Sequence, residues 1–357
     1  MAQARARSRV RRYGRLPLAG SGRLSDARPE GANSVASTHT TPPATEPRGF
    51  DAMVPDRTPA LAGRAIASPA KPRIAVRTYL AFVKPHIDVT FVLVALSGAL
   101  LGWVRSGPFP LLPVVIVAAA VALLSAGAEC WTNILDHDLD ALMVRTAKRP
   151  LPTGEIPLHS AAALGAVLTA AGLLLAATLG VIPLLFLTFA LINNVVIYSA
   201  LTKRSTPWSI VLGAGVGPLT LWAGYAAVHE PISPTAWLLG AMVAVWVPIH
   251  IWTIAVRYRA DYARGSVPMA PVVWTRPQLA VASLLSTGVM GALAVASLVS
   301  LDGPAATWLA ISIGILSLLL ATGSVLVPWH EQLARPLIRA VTVYLVLVLV
   351  AVVGCAL

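Results

Sequence analysis

Within residues 136–149 this chain gathers most of its chemistry-bearing side chains. The run Asp136-His137-Asp138-Leu139-Asp140 is followed closely by Arg145, Lys148 and Arg149. If a helix continues through these acids, Asp136 and Asp140, four residues apart, share a face. At 100° per residue Asn133 and Glu129 then lie about 20° to either side of Asp140, while Asp138 points away. Convergent side-chain oxygens suit a hard cation, and Mg²⁺ characteristically takes one or two carboxylates together with phosphate oxygens and water. The three basic residues that follow supply what a phosphate needs beside such a metal. The plainer reading is a charged interfacial loop that only fixes topology; the i, i+4 acids with Asn133 favour the metal and a diphosphate.

A second polar segment runs from Arg257 to Met269 and holds one acid, Asp261, among Arg257, Arg259 and Arg264. Asp261 either completes a second cation site or pairs with an arginine, and spacing alone leaves both open.

The elements that carry these segments follow from composition. The 357 residues are 57% hydrophobic and 12% charged, with a mean hydropathy of +0.75. Soluble domains carry about 25% charged residues, so a water-surrounded surface is excluded. The net charge of +12 invites a nucleic-acid partner, but its distribution excludes one. Residues 1–77 hold 14 Lys and Arg against five Asp and Glu, and the rest of the chain 13 against ten. Cys130 and Cys355 give neither a disulfide framework nor metal-ligand spacing.

After residue 77 the stretches free of Asp, Glu, Lys and Arg are 89–104, 106–128, 156–202, 205–229, 231–256, 277–301, 303–330 and 340–357. A span needs about 20 apolar residues, so seven of these hold one helix each, and Gly180 and Pro183 divide 156–202 into two. Nine spans result, and no strand alternation is visible. With nine, one side receives Arg145, Lys148, Arg149, Lys203, Arg204, Arg257, Arg259, Arg264, Arg276, Arg335 and Arg339, and the other Arg105 alone. That asymmetry places the rich side and the N-terminus in the cytoplasm. Arg outnumbers Lys by 23 to 4, a composition that favours a GC-rich bacterial genome and hence a plasma (cell inner) membrane. The mitochondrial inner membrane is the alternative.

Residues 1–75 read as a disordered basic tail, poor in hydrophobics and rich in Arg, Ser and Pro. Their Arg-rich, acid-poor character also suits a transit peptide. A bacterial extension with Met53 as an internal start is favoured, because five prolines between 42 and 59 break any long amphipathic helix. The expected organisation is a tail over 1–75 and one all-α transmembrane domain over 76–357.

Several motifs together carry a resemblance. Asp-x-Asp-x-Asp-x-x-Met-x-Arg-Thr-x-x-Arg-Pro-Leu (136–151) resembles the first signature of the intramembrane prenyltransferases. Its Met-x-Arg-Thr form is similar to that of the haem-farnesylating branch, the protohaem IX farnesyltransferases. Tyr198-Ser-Ala-Leu-Thr-Lys203-Arg204-Ser-Thr206-Pro207, Pro248-Ile-His250-Ile-Trp252, Asp261-Tyr262 with Pro268-Met269-Ala270-Pro271, and Lys84-Pro85 resemble further family motifs in the family's order. The resemblance covers about residues 76–357.

It implies a nine-helix bundle that transfers the farnesyl group of farnesyl diphosphate to a vinyl group of haem b, giving haem O with Mg²⁺ as cofactor. Asp136, Asp140 and Asn133 would hold the metal, and Asp261 would join them in the catalytic set. Arg145, Lys148, Arg149, Lys203 and Lys84 would receive the diphosphate, and Arg257 or Arg259 the haem propionates. His250, an intramembrane polar residue, would either ligate haem iron or hydrogen-bond a helix carbonyl. The implied partners are the two substrates, the lipid bilayer, and other haem-pathway or oxidase-assembly membrane proteins. The chain departs from the family where Thr132 stands at the usual Asn, with Asn133 one position late. His86 and His137 stand at usual arginines, and Ala260 replaces an acid beside Asp261. Quinone- or lipid-pathway prenyl transfer is the alternative activity, and a non-catalytic haem-handling protein the alternative class.

Overall fold

The computed structural model describes residues 76–104 and 107–357; the tail of residues 1–75 and Arg105 lie outside the described residues. Among the described residues the fold is all-α, with no strand. Short α1 (Val76–Val83) leads at Lys84 into α2 (Pro85–Trp103), and α3 (Leu111–Leu135) returns. Then come α4 (His137–Leu142), α5 (Leu158–Ala177), and α6 (Val181–Ile192), which continues as a π-helix over Asn193–Thr202. Next are α7 (Ser209–Leu212), α8 (Val216–Ala226), α9 (Pro234–Arg257), α10 (Arg259–Arg264) and α11 (Ala270–Val273). The series closes with α12 (Arg276–Val299), α13 (Pro304–Leu326) and α14 (Ala334–Ala356).

Among the described residues, eight helical segments are long and apolar enough to cross a membrane, with Val181–Thr202 and Ser209–Ala226 each counting as one; the apolar part of α2, Val89–Trp103, is a shorter ninth. The all-α membrane class matches the expectation, while the count of nine spans is met only approximately, because the apolar part of α2 falls short of spanning length. Gly180 (φ 116°) and Gly303 (φ 123°) take a backbone conformation that side-chain-bearing residues avoid, which ends one helix and starts the next. At α9, Ser233 accepts from the Ala236 amide ahead of Pro234. At α12, Thr275 and Gln278 form a capping box.

Helix-to-helix packing uses small residues. A Cβ on Gly98 of α2 would stand 2.0 Å from the Leu221 carbonyl oxygen, and one on Gly224 of α8 would stand 2.0 Å from that of Ala95. The two backbones thus touch, as small residues permit in membrane helices. Leu174, Leu285, Leu318 and Leu319 project outward, as lipid-facing positions require. The chain is a multi-pass membrane protein.

Two local features were not in the sequence expectation. The helix expected to run through Asp140 instead breaks at Asp136 (φ −100°, ψ 1°), so α3 and α4 are separate elements. The bonds Asp136 N to Thr132 O and Asp140 N to Asp136 O, 2.9 and 2.8 Å, nevertheless keep the i, i+4 spacing across the joint. The second is the π-helix, a form that usually lasts a single turn and concentrates at functional sites. Here it spans ten residues and ends at Lys203, whose amide bonds to the Tyr198 carbonyl at 2.8 Å.

Candidate active site

The joint at Asp136 sorts the three acids. Asp136 and Asp140 are buried, at 6% and 4% exposure, whereas the Asp138 side chain is 53% exposed. Each has its own cation. Lys203 bonds to Asp136 Oδ2, and Arg149 Nη1 donates to Asp140 Oδ2 at 2.7 Å. Arg204 grips both oxygens of Asp138 at 2.8 and 2.7 Å and also donates to the Leu135 carbonyl. That guanidinium holds the Asp138 carboxyl below the usual carboxylate range. Burial opposes the charge on Lys203, yet neighbouring Tyr198 and Asp136 outweigh it and hold the ammonium above the ordinary lysine value.

Lys84 sits in the left-handed region (φ 52°) at the joint between α1 and α2. Non-glycine residues rarely occupy that region outside turns and functional sites. There its ammonium reaches Glu129 at 2.5 Å and Asn133 Oδ1 at 3.0 Å. Asn133 in turn donates to the Phe82 carbonyl at 3.1 Å. The oxygen expected to face the acids is therefore engaged by Lys84.

Asp261 is likewise engaged. It accepts from the backbone amides of Val144 and Arg145 at 3.2 and 3.3 Å and pairs with Arg264 at 2.8 Å. Through these contacts it pairs with an arginine and ties the second polar segment to the first. Tyr258 reinforces that tie, with the guanidinium carbons of Arg145 and Arg257 over its ring at 4.8 and 5.4 Å from the centre. Lys148 is exposed. Arg259 lines a separate cleft with Trp274, Arg276 and Glu331.

His250 stacks on Trp246, ring centres 4.5 Å apart and 18° between planes. Its Nδ1 meets Thr342 Oγ1 of α14 at 3.4 Å, so a side-chain hydroxyl stands where a helix carbonyl was the simpler expectation. Below the acids, α2, α3, α6 with its π-helix, and α8 line a narrow, partly open cleft with a volume of about 40 Å³. Phe91, Val121, Leu124, Leu187, Leu191 and Val216 give it an apolar wall, with Ser125, Asn194 and Thr220 as polar points. Ala128, at its upper end, is eight residues before Asp136 on α3, or about 12 Å along a helix.

Three contributors escaped the sequence reading of the site. Thr146 is buried and donates to the Asp140 carbonyl at 2.9 Å. Tyr198, with Lys203 5.6 Å from its ring centre, and Tyr262 both border the lysine. Tyr198, Thr146 and Tyr262 all lie inside the motifs quoted above, and membership in those motifs was the signal that could have found them.

No group of three or more His, Cys, Asp or Glu residues is disposed to hold a metal among the described residues. A cation that completes its shell with phosphate oxygens and water needs only two. Asp136 fits that requirement: its Oδ1 is buried and has no hydrogen-bond partner among the described residues. A buried oxygen left unpaired costs about 1–3 kcal/mol, and a cation would satisfy it.

The chain is similar to known proteins in sequence and in fold. Over 195 residues, 54% of this chain and 68% of the relative, the chain is 38% identical to the protoheme IX farnesyltransferase of Thermoplasma volcanium. Over 269 residues, 72% of this chain and 81% of the relative, it is 35% identical to protoheme IX farnesyltransferase 1 of Saccharopolyspora erythraea. A solved UbiA homolog from Archaeoglobus fulgidus bound to GPP and Mg²⁺ has the same fold, with a TM-score of 0.60 at 15% identity over 77% of this chain and 99% of that one. Residues 91–343 match the UbiA prenyltransferase family as a whole, and this chain, a membrane-embedded prenyltransferase, belongs to that family.

Proposed function

We propose that the chain transfers the farnesyl group of farnesyl diphosphate to a vinyl group of haem b, with water adding to give the hydroxyethylfarnesyl side chain of haem O. The observation that carries the transfer chemistry is the pair of buried acids, one with an unpaired oxygen, ringed by Lys203 and Arg149 above an apolar cleft. The acceptor rests on the activity for which the two relatives are named and on the Met143-x-Arg145-Thr146 form of the first motif.

Asp136 and Asp140 would hold a Mg²⁺ ion, with Asn133 completing the set through the oxygen that Lys84 engages. When bound, the ion supplies electrophilic stabilisation of the departing diphosphate. The chain's own cations do the remainder. Arg149 and Lys203 turn from their carboxylates to the phosphate oxygens, and Arg145, Lys148 and Lys84 add positive charge around them. The apolar cleft receives the isoprenoid chain and keeps water from the allylic cation as the carbon–oxygen bond breaks. Asp261 acts by position, holding the segment that carries Arg145.

For the acceptor, Arg257 or Arg259 would meet the haem propionates. With Nδ1 turned to Thr342, His250 offers Nε2 to haem iron. His250→Ala is expected to weaken haem b binding about tenfold and to shift the Soret band of the bound haem. An unchanged spectrum and affinity would remove His250 from the haem site.

The end of the bundle that carries the site is proposed to face the cytoplasm, with the N-terminus on the same side of the plasma membrane, or the matrix in the mitochondrial alternative. The eleven-to-one distribution of basic residues supports this orientation. The acceptor is tested by competition: purified protein in detergent receives farnesyl diphosphate, Mg²⁺, haem b and a phenolic acid together. Consumption of haem b alone is expected; prenylation of the phenol alone would transfer the proposal to a quinone-pathway acceptor.

A further inference from the structure

Each acid at the site already has a basic partner: Glu129 with Lys84, Asp136 with Lys203, Asp138 with Arg204, Asp140 with Arg149, and Asp261 with Arg264. The Lys203–Asp136 pair stands apart in two respects. It is the pair in which both side chains are most withdrawn from solvent, at 14% and 8% exposure. Asp136 is also the one acid among the described residues with a buried oxygen left unpartnered. Its charge is neutralised, while its coordinating capacity is half used. Buried ion pairs contribute little net stability against hydrophobic replacements, because desolvation offsets the attraction. Stability therefore does not account for a lysine at this place.

We propose that the Lys203 ammonium stands in for a divalent cation on Asp136 in the ligand-free enzyme. A metal then enters as its diphosphate complex, which draws Lys203 off the carboxylate and onto phosphate oxygens. This inference rests on the metal–diphosphate reading of the site. A bare dication approaching Asp136 meets a positive charge already bound there, and in a buried site that repulsion is weakly screened. A metal–diphosphate complex carries net negative charge and brings the acceptors that Lys203 must gain when it lets go.

The local construction suits the exchange. Lysine is a point charge on a flexible four-carbon stem, whereas arginine is a planar fork that grips in fixed geometry. Its neighbour Arg204 is fastened to Asp138 and to the Leu135 carbonyl. The backbone is thereby anchored one residue away, and the Lys203 side chain can swing alone.

Coupling between two ligands is reciprocal, and typically amounts to a 5- to 150-fold change in affinity. The test uses full-length protein in detergent and counts protein-bound Mn²⁺ after equilibrium dialysis at fixed free Mn²⁺, with and without inorganic diphosphate. The wild type is expected to bind Mn²⁺ about tenfold more tightly when diphosphate is present. Lys203→Gln is expected to bind Mn²⁺ alone about tenfold more tightly than the wild type and to lose most of the coupling. Lys203→Arg, which keeps a cation on Asp136, should retain weak binding of Mn²⁺ alone.

If Lys203→Gln binds Mn²⁺ alone no better than the wild type, the stand-in role is overturned. Should that variant fail to purify, equal Mn²⁺ affinity with and without diphosphate in the wild type overturns it as well. Asp136→Asn separates the metal site from the lysine's role in it. Mn²⁺ binding that survives Asp136→Asn unchanged overturns the metal reading itself. Binding lost in Asp136→Asn, with no gain in Lys203→Gln, overturns the role of Lys203 alone.

Discussion

Asp136→Ala and Asp140→Ala each lower kcat by at least about 10²–10³-fold, the scale of losing one preorganised electrostatic contact to a transition state. Asp138→Ala retains most of the wild-type rate. The three acids lie within five residues and carry the same charge, so chemistry alone does not separate them. Their placement does: the i, i+4 spacing leaves Asp136 and Asp140 buried while Asp138 faces outward and pairs with Arg204. Steady-state kinetics with farnesyl diphosphate, at matched amounts of folded protein, measure all three variants. Equal losses at the three positions would mean that Asp138 also reaches the reacting groups, contrary to its placement.

Gly98→Ala and Gly224→Ala destabilise the bundle far more than a methyl group added where the helix surface is open. Overpacking a core usually costs about 1–3 kcal/mol, because neighbouring side chains shift to accommodate it. At these positions the added carbon would meet backbone oxygens of Leu221 and Ala95 at 2.0 Å, and the backbone of a packed helix has little room to move. The cost is therefore expected at or above the top of that range. Separating α2 from α8 also displaces Lys84, at the N-terminal end of α2, from Glu129 and Asn133. Thermal unfolding in detergent measures the effect. Gly288→Ala is the control, since nothing lies within 4 Å of its added carbon. Equal melting temperatures for the Gly98 and Gly288 variants would contradict the close approach of the two helices.

The long-range organisation was legible because charge is scarce after residue 77. Most interruptions of an apolar stretch fall near a helix end, and the end that collects the arginines also collects the site. The facing of Asp136 and Asp140 was legible too, although for an incomplete reason. The continuous helix that suggested it breaks at Asp136, and the hydrogen bond from Asp140 N to Asp136 O preserves the spacing.

What stayed hidden depends on contacts between residues distant in sequence. Lys84 engages Asn133 across 49 positions, and Asp261 reaches the amides of Val144 and Arg145 across 117 and 116. No local periodicity encodes such pairings. The π-helix over Asn193–Thr202 was invisible because an apolar stretch reads alike in either helical register. Yet it is the π-helix that sets the position of Lys203, and through it the partner of Asp136.

Farnesyl transfer to haem is tested by its product. Purified protein incubated with haem b, farnesyl diphosphate and Mg²⁺ is expected to yield, by mass spectrometry, haem enlarged by one farnesyl group and one water. One inorganic diphosphate should be released per product, and both should disappear with chelator or with Asp136→Ala. Diphosphate release without any farnesylated haem, or a haem product that persists in Asp136→Ala, would contradict the proposed reaction.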